Sequence, residues 1–159
     1  MNLMLPILLA AAGVVSNGTT RITASKASYD RKEGLACFSG GVTVVDPSYV
    51  LHADRAFVLT GATNDLKRLV AIGHVAMTNE TRRAYGAKAV YHRSSGMIVL
   101  SSGDGIAAEV RDAGPNGDSV LRGRKIRFWT GSQQVEVTEA EITAPAKGAA
   151  DGMKGLLGR

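Results

Sequence analysis

Cys37 is the only cysteine among 159 residues, so the chain has no internal disulfide, no CxxC metal site and no redox pair. A lone cysteine of this kind most often serves as a small apolar side chain. Prolines number four and aromatic residues make up 5%. The aromatics do not cluster, which leaves no stacking platform for single-stranded nucleic acid. No apolar run reaches the roughly 20 residues of a membrane-spanning helix; the longest, Leu3–Val15, falls short of it. Signs of catalysis are also missing. There is no G-x-S-x-G elbow, and the carboxylates are scattered without an evident acid–base pair. His52, His74 and His92 lack zinc-ligand spacing and a cysteine partner. Neither Ser39-Gly40-Gly41 nor Gly103-Asp104-Gly105 opens a helix, as a phosphate loop would. The sequence therefore predicts a binding protein rather than an enzyme, with no catalytic residue, no metal and no cofactor.

Glycine, by contrast, is abundant at 19 residues, and hydrophobic residues make up 45% against 21% charged. That composition belongs to a folded chain rich in turns, and favours short strands over long helices. The net charge of +5 attracts phosphates, whether on nucleic acid, on anionic lipid or on a phosphorylated glycolipid. The apolar stretch Leu3–Val15 followed by Ser16, Asn17 and Gly18 matches the hydrophobic region of a signal peptide. Residues 1–18 are accordingly expected to direct export, and to anchor the protein in the inner membrane if they are retained. The first basic residue is Arg21, so the stretch lacks the usual positive flank.

Four segments repeat one pattern: small, any, basic, apolar, any, large apolar. They are Ala24–Tyr29, Ala53–Val58, Gly86–Tyr91 and Gly123–Phe128, and a period near 30 residues marks a repeated supersecondary unit. After the first and third come polar, Gly-containing stretches (Asp30–Gly34 and His92–Gly96), then the apolar runs Leu35–Phe38 and Met97–Leu100. Each unit reads as a β-hairpin with the polar stretch as its turn. Further strands are predicted at Gly41–Val45, Gly73–Met77, Gln134–Thr138 and Ala140–Thr143. Leu66–Val70 has weak helical spacing, but its shortness and Gly73 favour a turn leading into a strand. Residues 111–119 read as a loop, and residues 144–159 as a flexible Gly- and Lys-containing tail.

Ile22–Asp30, Phe38–Val44, Leu51–Ala56, Val70–Val75 and the Gly86–Tyr91 repeat, in that order and spacing, resemble the OstA-like, or LptA/LptC-type, domain of lipopolysaccharide transport. The resemblance covers roughly residues 20–143. It implies an all-β, open antiparallel β-jellyroll with an apolar slot between two sheets, a periplasmic location and no enzymatic activity. It further implies binding of lipopolysaccharide or a related acylated glycolipid, and edge-strand pairing with other β-jellyroll transport components or further copies of the chain, and no nucleic acid. On this reading the slot is lined from the first two units by Ala27, Tyr29, Phe38, Val42, Val44, Ala56, Val58 and Val75. The later units contribute Ala89, Tyr91, Ile98, Leu100, Ile126, Phe128, Val135 and Val137. The small residues Ala24, Ala53, Gly86 and Gly123 would keep space between the sheets. Lys26, Arg55, Lys88 and Lys125 recur at one place in the repeat. They either meet lipid phosphates at the mouth of the slot or form a solvated face that discourages edge aggregation. Two rival readings remain: a β-scaffold that polymerises through its edges without lipid, and a basic nucleic-acid-binding β-domain.

Overall fold

The computed structural model describes residues 21–46, 49–63, 65–79, 82–129, 132 and 134–144. The expected signal segment and nearly all of the expected tail lie outside the described residues. Twelve antiparallel strands follow in order: β1 (Arg21–Thr23), β2 (Lys26–Asp30), β3 (Leu35–Asp46), β4 (Tyr49–Thr60), β5 (Leu66–Asn79) and β6 (Arg82–His92). Then come β7 (Met97–Ser101), β8 (Ala108–Gly114), β9 (Gly117–Gly123), β10 (Lys125–Trp129), β11 (Val135–Thr138) and β12 (Glu141–Thr143).

The long strands β3, β4, β5 and β6 each cross a crease that folds the sheet into two wings. Register shifts mark it between Ser39 and Val42, between His52 and Arg55, and between Ile72 and Val75. β6 makes the same change by switching partners, from β8 over Arg82–Tyr85 to β7 over Lys88–His92. Wing A comprises β2, β7, β10, β11 and the adjoining halves of β3–β6; wing B comprises β1, β8, β9, β12 and the other halves. The chain alternates between them, one hairpin in wing A and the next in wing B, and each pair of hairpins spans about one repeat. The Gly-containing turns at residues 31–34 and 93–96 are equivalent, with Gly34 and Gly96 both at φ +65°. Left-handed backbone of this kind suits glycine because it has no Cβ to clash.

Three expectations are corrected. Gly41–Val45 and Gly73–Met77 are not separate strands but the far halves of β3 and β5, continuing past bulges at Gly40-Gly41 and Gly73-His74. Residues 111–119 form a hairpin rather than a loop: β8 and β9 pair across a two-residue turn at Pro115-Asn116. Arg111 and Asp118 face water while Asp112 and Ser119 turn inward, so polar composition on both faces imitated a loop. The small residues of the repeat stand at the crease, where they permit close packing instead of holding space open. A Cβ on Gly123 would lie 2.8 Å from the Thr138 carbonyl oxygen, too near for any side chain. Leu66 opens a strand, not a helix, as the turn-into-strand reading expects.

Two cross-strand rows face inward on wing A. One runs Tyr29, Ala36, Val58, Leu69, Tyr91, Ile98, Phe128, Val135; the other runs Ala27, Phe38, Ala56, Ala71, Ala89, Leu100, Ile126, Val137. Opposite them on wing B run Ile22, Val44, Leu51, Met77, Ala84, Val110, Leu121, Ile142. Phe38, Leu100, Leu121 and Ile126 are fully buried between the wings, each contributing roughly 1.5–3 kcal/mol of burial.

Candidate functional site

The inner rows close tightly along the crease and part toward the wing tips. A cleft of about 210 Å³ opens there, lined on the wing A side by Ile98, Phe128, Trp129, Ser132 and Val135. Tyr49, Met77, Asn79, Arg82, Ala84 and Val110 line the wing B side. The volume lies below the roughly 300–1,000 Å³ of a drug-sized ligand site. A larger apolar occupant therefore requires the wings to separate, and among the described residues no strand pairing joins their tips.

The rim is polar because the last inward row of wing B is polar. Asn79 pairs in register with Arg82, Arg82 with Asp112 and Asp112 with Ser119. Arg82 Nη2 donates to Asp112 Oδ2 at 3.3 Å, with side chains 34% and 16% exposed. This is a partly desolvated cation in the lining of the cleft, where an anion is recognised more strongly than in bulk water. Burial, with Asp46 adding to it, pushes the Tyr49 hydroxyl far above its ordinary range and keeps it a neutral hydrogen-bonding group.

Of the residues expected to line a slot, Phe38, Val42, Val44, Ala56, Val58, Val75, Ala89, Ile98, Leu100 and Ile126 are buried between the wings. Tyr91, Phe128, Val135 and Val137 are partly buried against them, as is Tyr29. Ala27 shares the inward row of Phe38 but is exposed, because β2 is an edge strand. Only Ile98, Phe128 and Val135 of this set border the open cleft. Sequence reasoning missed the wing B side: Tyr49, Met77, Ala84, Val110 and above all Arg82. A signal existed for part of it, since Met77 and Val110 stand in alternating strands. The inward aim of Arg82 could not be read from Thr81-Arg82-Arg83, where two adjacent arginines point to opposite faces.

The four repeated cations fall into one register row, Lys26, Ser39, Arg55, Ile72, Lys88, Ser101, Lys125. They sit on alternate strands, about 10 Å apart. The row lies one residue out of phase with Ala27, Ala56, Ala89 and Ile126, so it faces outward beside the crease and does not rim the cleft. The next outward row is Ser28, Cys37, Phe57, Val70, Val90, Val99, Arg127, with Cys37 to Val99 half-buried and no described element packed over them.

Both edges of the folded sheet are free among the described residues, β1 and β2 at one end, β11 and β12 at the other. The inward apolar rows run out to these edges, where Ile142 is 38% exposed.

Comparison with solved structures places this architecture beside LptH of Pseudomonas aeruginosa, the LptA-homologous periplasmic component of its lipopolysaccharide transport device. The TM-score is 0.68 at 19% identity, over 79% of this chain and 94% of that one; the likeness is one of fold. No curated protein matches in the sequence comparison. A family model does match, over residues 21–134, and covers well over half of the chain. The chain belongs to the family of the LptA/(LptD N-terminal domain) lipopolysaccharide transport proteins.

Proposed function

We propose that the chain carries an acylated glycolipid of the lipid A type between its wings, in the periplasm, as one unit of an edge-stacked bridge from inner to outer membrane. The observation that carries this reading is the two-walled apolar interior, which opens at the wing tips and is rimmed there by Arg82, Tyr49, Asn79 and Ser132. Acyl chains need no polar catalytic group; each methylene withdrawn from water contributes roughly 0.8 kcal/mol. Separating the wings breaks side-chain contacts but no strand ladder, so the interior can admit chains that the closed cleft cannot. A phosphate of the glycolipid would take the place of Asp112 beside Arg82.

The free edges support stacking. A neighbour adding a strand at β1 and β2 or at β11 and β12 would extend both the hydrogen-bond ladder and the inward apolar rows. Such contacts are heterologous and generate open filaments. Residues 1–18 would provide export, and mass measurement of the mature N-terminus distinguishes a cleaved signal from a retained anchor.

Tight packing along the crease favours a second reading, a scaffold that polymerises without lipid. Native mass spectrometry of the purified chain with and without lipopolysaccharide, and with single-stranded DNA as competitor, decides between them. A stoichiometric glycolipid adduct that survives DNA is expected. A folded, oligomeric protein with no adduct would establish the scaffold instead, and displacement by DNA would indicate a nucleic-acid-binding domain.

A further inference from the structure

From β3 to β10 the outward positions of wing A past the crease contain no carboxylate; Asp54 stands at the crease bonded to His74, and Glu136 on the edge strand β11 meets Arg127 at 3.7 Å. These outward positions combine the apolar row Cys37, Phe57, Val70, Val90 and Val99 with the cations Arg55, Lys88 and Lys125 on one side and Arg68 on the other. None of these four cations is in an ion pair among the described residues. A solvated sheet face normally interleaves both signs of charge and keeps apolar residues scattered. Wing B does so: its outward Glu109 accepts from Arg111 and from Arg122, the latter at 2.9 Å.

We infer that the outer face of wing A docks on an anionic lipid membrane surface. An apolar stripe bordered by cations is the pattern of proteins that lie in a membrane interface. The stripe enters the headgroup boundary while the cations meet lipid phosphates. Charge complementarity selects this occupant over two others. A second copy would bring the same uncompensated cations face to face. The segment 145–159 carries Lys147, Lys154 and Arg159 against Asp151 alone, and is repelled by the same field. The site is separate from the cleft, since its residues point away from the interior, and it does not depend on the glycolipid reading.

Vesicle flotation of the purified chain tests it, with phosphatidylcholine alone and with phosphatidylcholine mixed with phosphatidylglycerol. Binding to the mixed vesicles that weakens with salt is expected. The variant Arg55→Gln/Lys88→Gln/Lys125→Gln should bind about a hundredfold more weakly, at a factor of roughly five per cation. The control Arg21→Gln/Arg83→Gln/Arg111→Gln removes equal charge from the outer face of wing B and should bind as the parent does. Phe57→Ser/Val90→Ser, at unchanged charge, should also weaken binding. An environment-sensitive dye on Cys37 should shift to the blue only with the mixed vesicles. Absence of binding to mixed vesicles, or equal loss in the wing B control, would overturn the proposal. So would displacement by polyglutamate with Phe57→Ser/Val90→Ser unaffected, which would reassign the face to an acidic protein. Glycolipid adducts retained by the wing A triple variant separate this outcome from any failure of the cleft reading.

Discussion

The two wings meet over one interior and differ on the outside. Wing A presents Phe57, Val70, Val90 and Val99 to the exterior beside a row of cations that are in no ion pair among the described residues, whereas wing B presents Thr43, His52, Glu109, Arg111 and Arg122. On wing B, burial of the Glu109 carboxyl works to raise its pKa. Hydrogen bonds from Arg122 and Arg111, with their charges, outweigh that effect and hold the group below its ordinary value of 4.5. The inner rows of both wings form one shared core, and the contrast in charge lies on the outer rows. One surface is stabilised by paired charge in water; the other holds charge and apolar area in reserve for a contact.

The largest effects should appear where the wings do not differ. Phe38→Ala on wing A is expected to cost roughly 3–5 kcal/mol and Leu121→Ala on wing B roughly 2–5 kcal/mol, both read by urea unfolding. A single transition in each variant would show one shared core; two transitions would split the wings into separate folding units. Next comes the crease. Gly73 has φ +84°, and a Cβ there would lie 2.9 Å from the Asp54 Cβ. Gly73→Ala should cost more than about 1 kcal/mol. Gly41→Ala, at a similar φ with nothing within 4 Å, should cost less.

Smaller effects test the outer faces. Glu109→Gln should cost about 1 kcal/mol near neutral pH. Because the native pKa of Glu109 is depressed, its contribution is complete above pH 4.5 and is lost as pH falls through the native value. The difference between parent and variant in thermal denaturation should therefore shrink in acid. Val70→Thr, on the uncovered face of wing A, should change stability by no more than about 0.5 kcal/mol. A larger loss would mean that this face is already covered.

Much of the fold is legible in the sequence, because the repeat is a direct image of the crease. The small residue stands at the bend, the basic one just beyond it facing water, and the apolar pair that follows faces inward. Lys26, Arg55, Lys88 and Lys125 thus announce a ladder, and register confirms it as a single row. What the pattern hides is which side of the sheet matters. Alternation identifies two faces without naming the covered one when both are apolar, as in Phe57-Val58 or Val99-Leu100. Wing B was harder to read, because Arg111–Ser119 combines loop composition with strand geometry. The inward Arg82 was invisible for a related reason: its direction depends on a switch of partners at the crease, which no local residue records.

The claim that the interior carries the lipid is tested most directly by site-specific photocrosslinking to lipopolysaccharide. A photoreactive side chain would replace Met77 or Phe128 in the cleft, and Tyr85 or Thr43 on the outer face of wing B. Adducts are expected from Met77 and Phe128 and none from Tyr85 or Thr43. Adducts from the outer positions alone, or from none of the four, would contradict it.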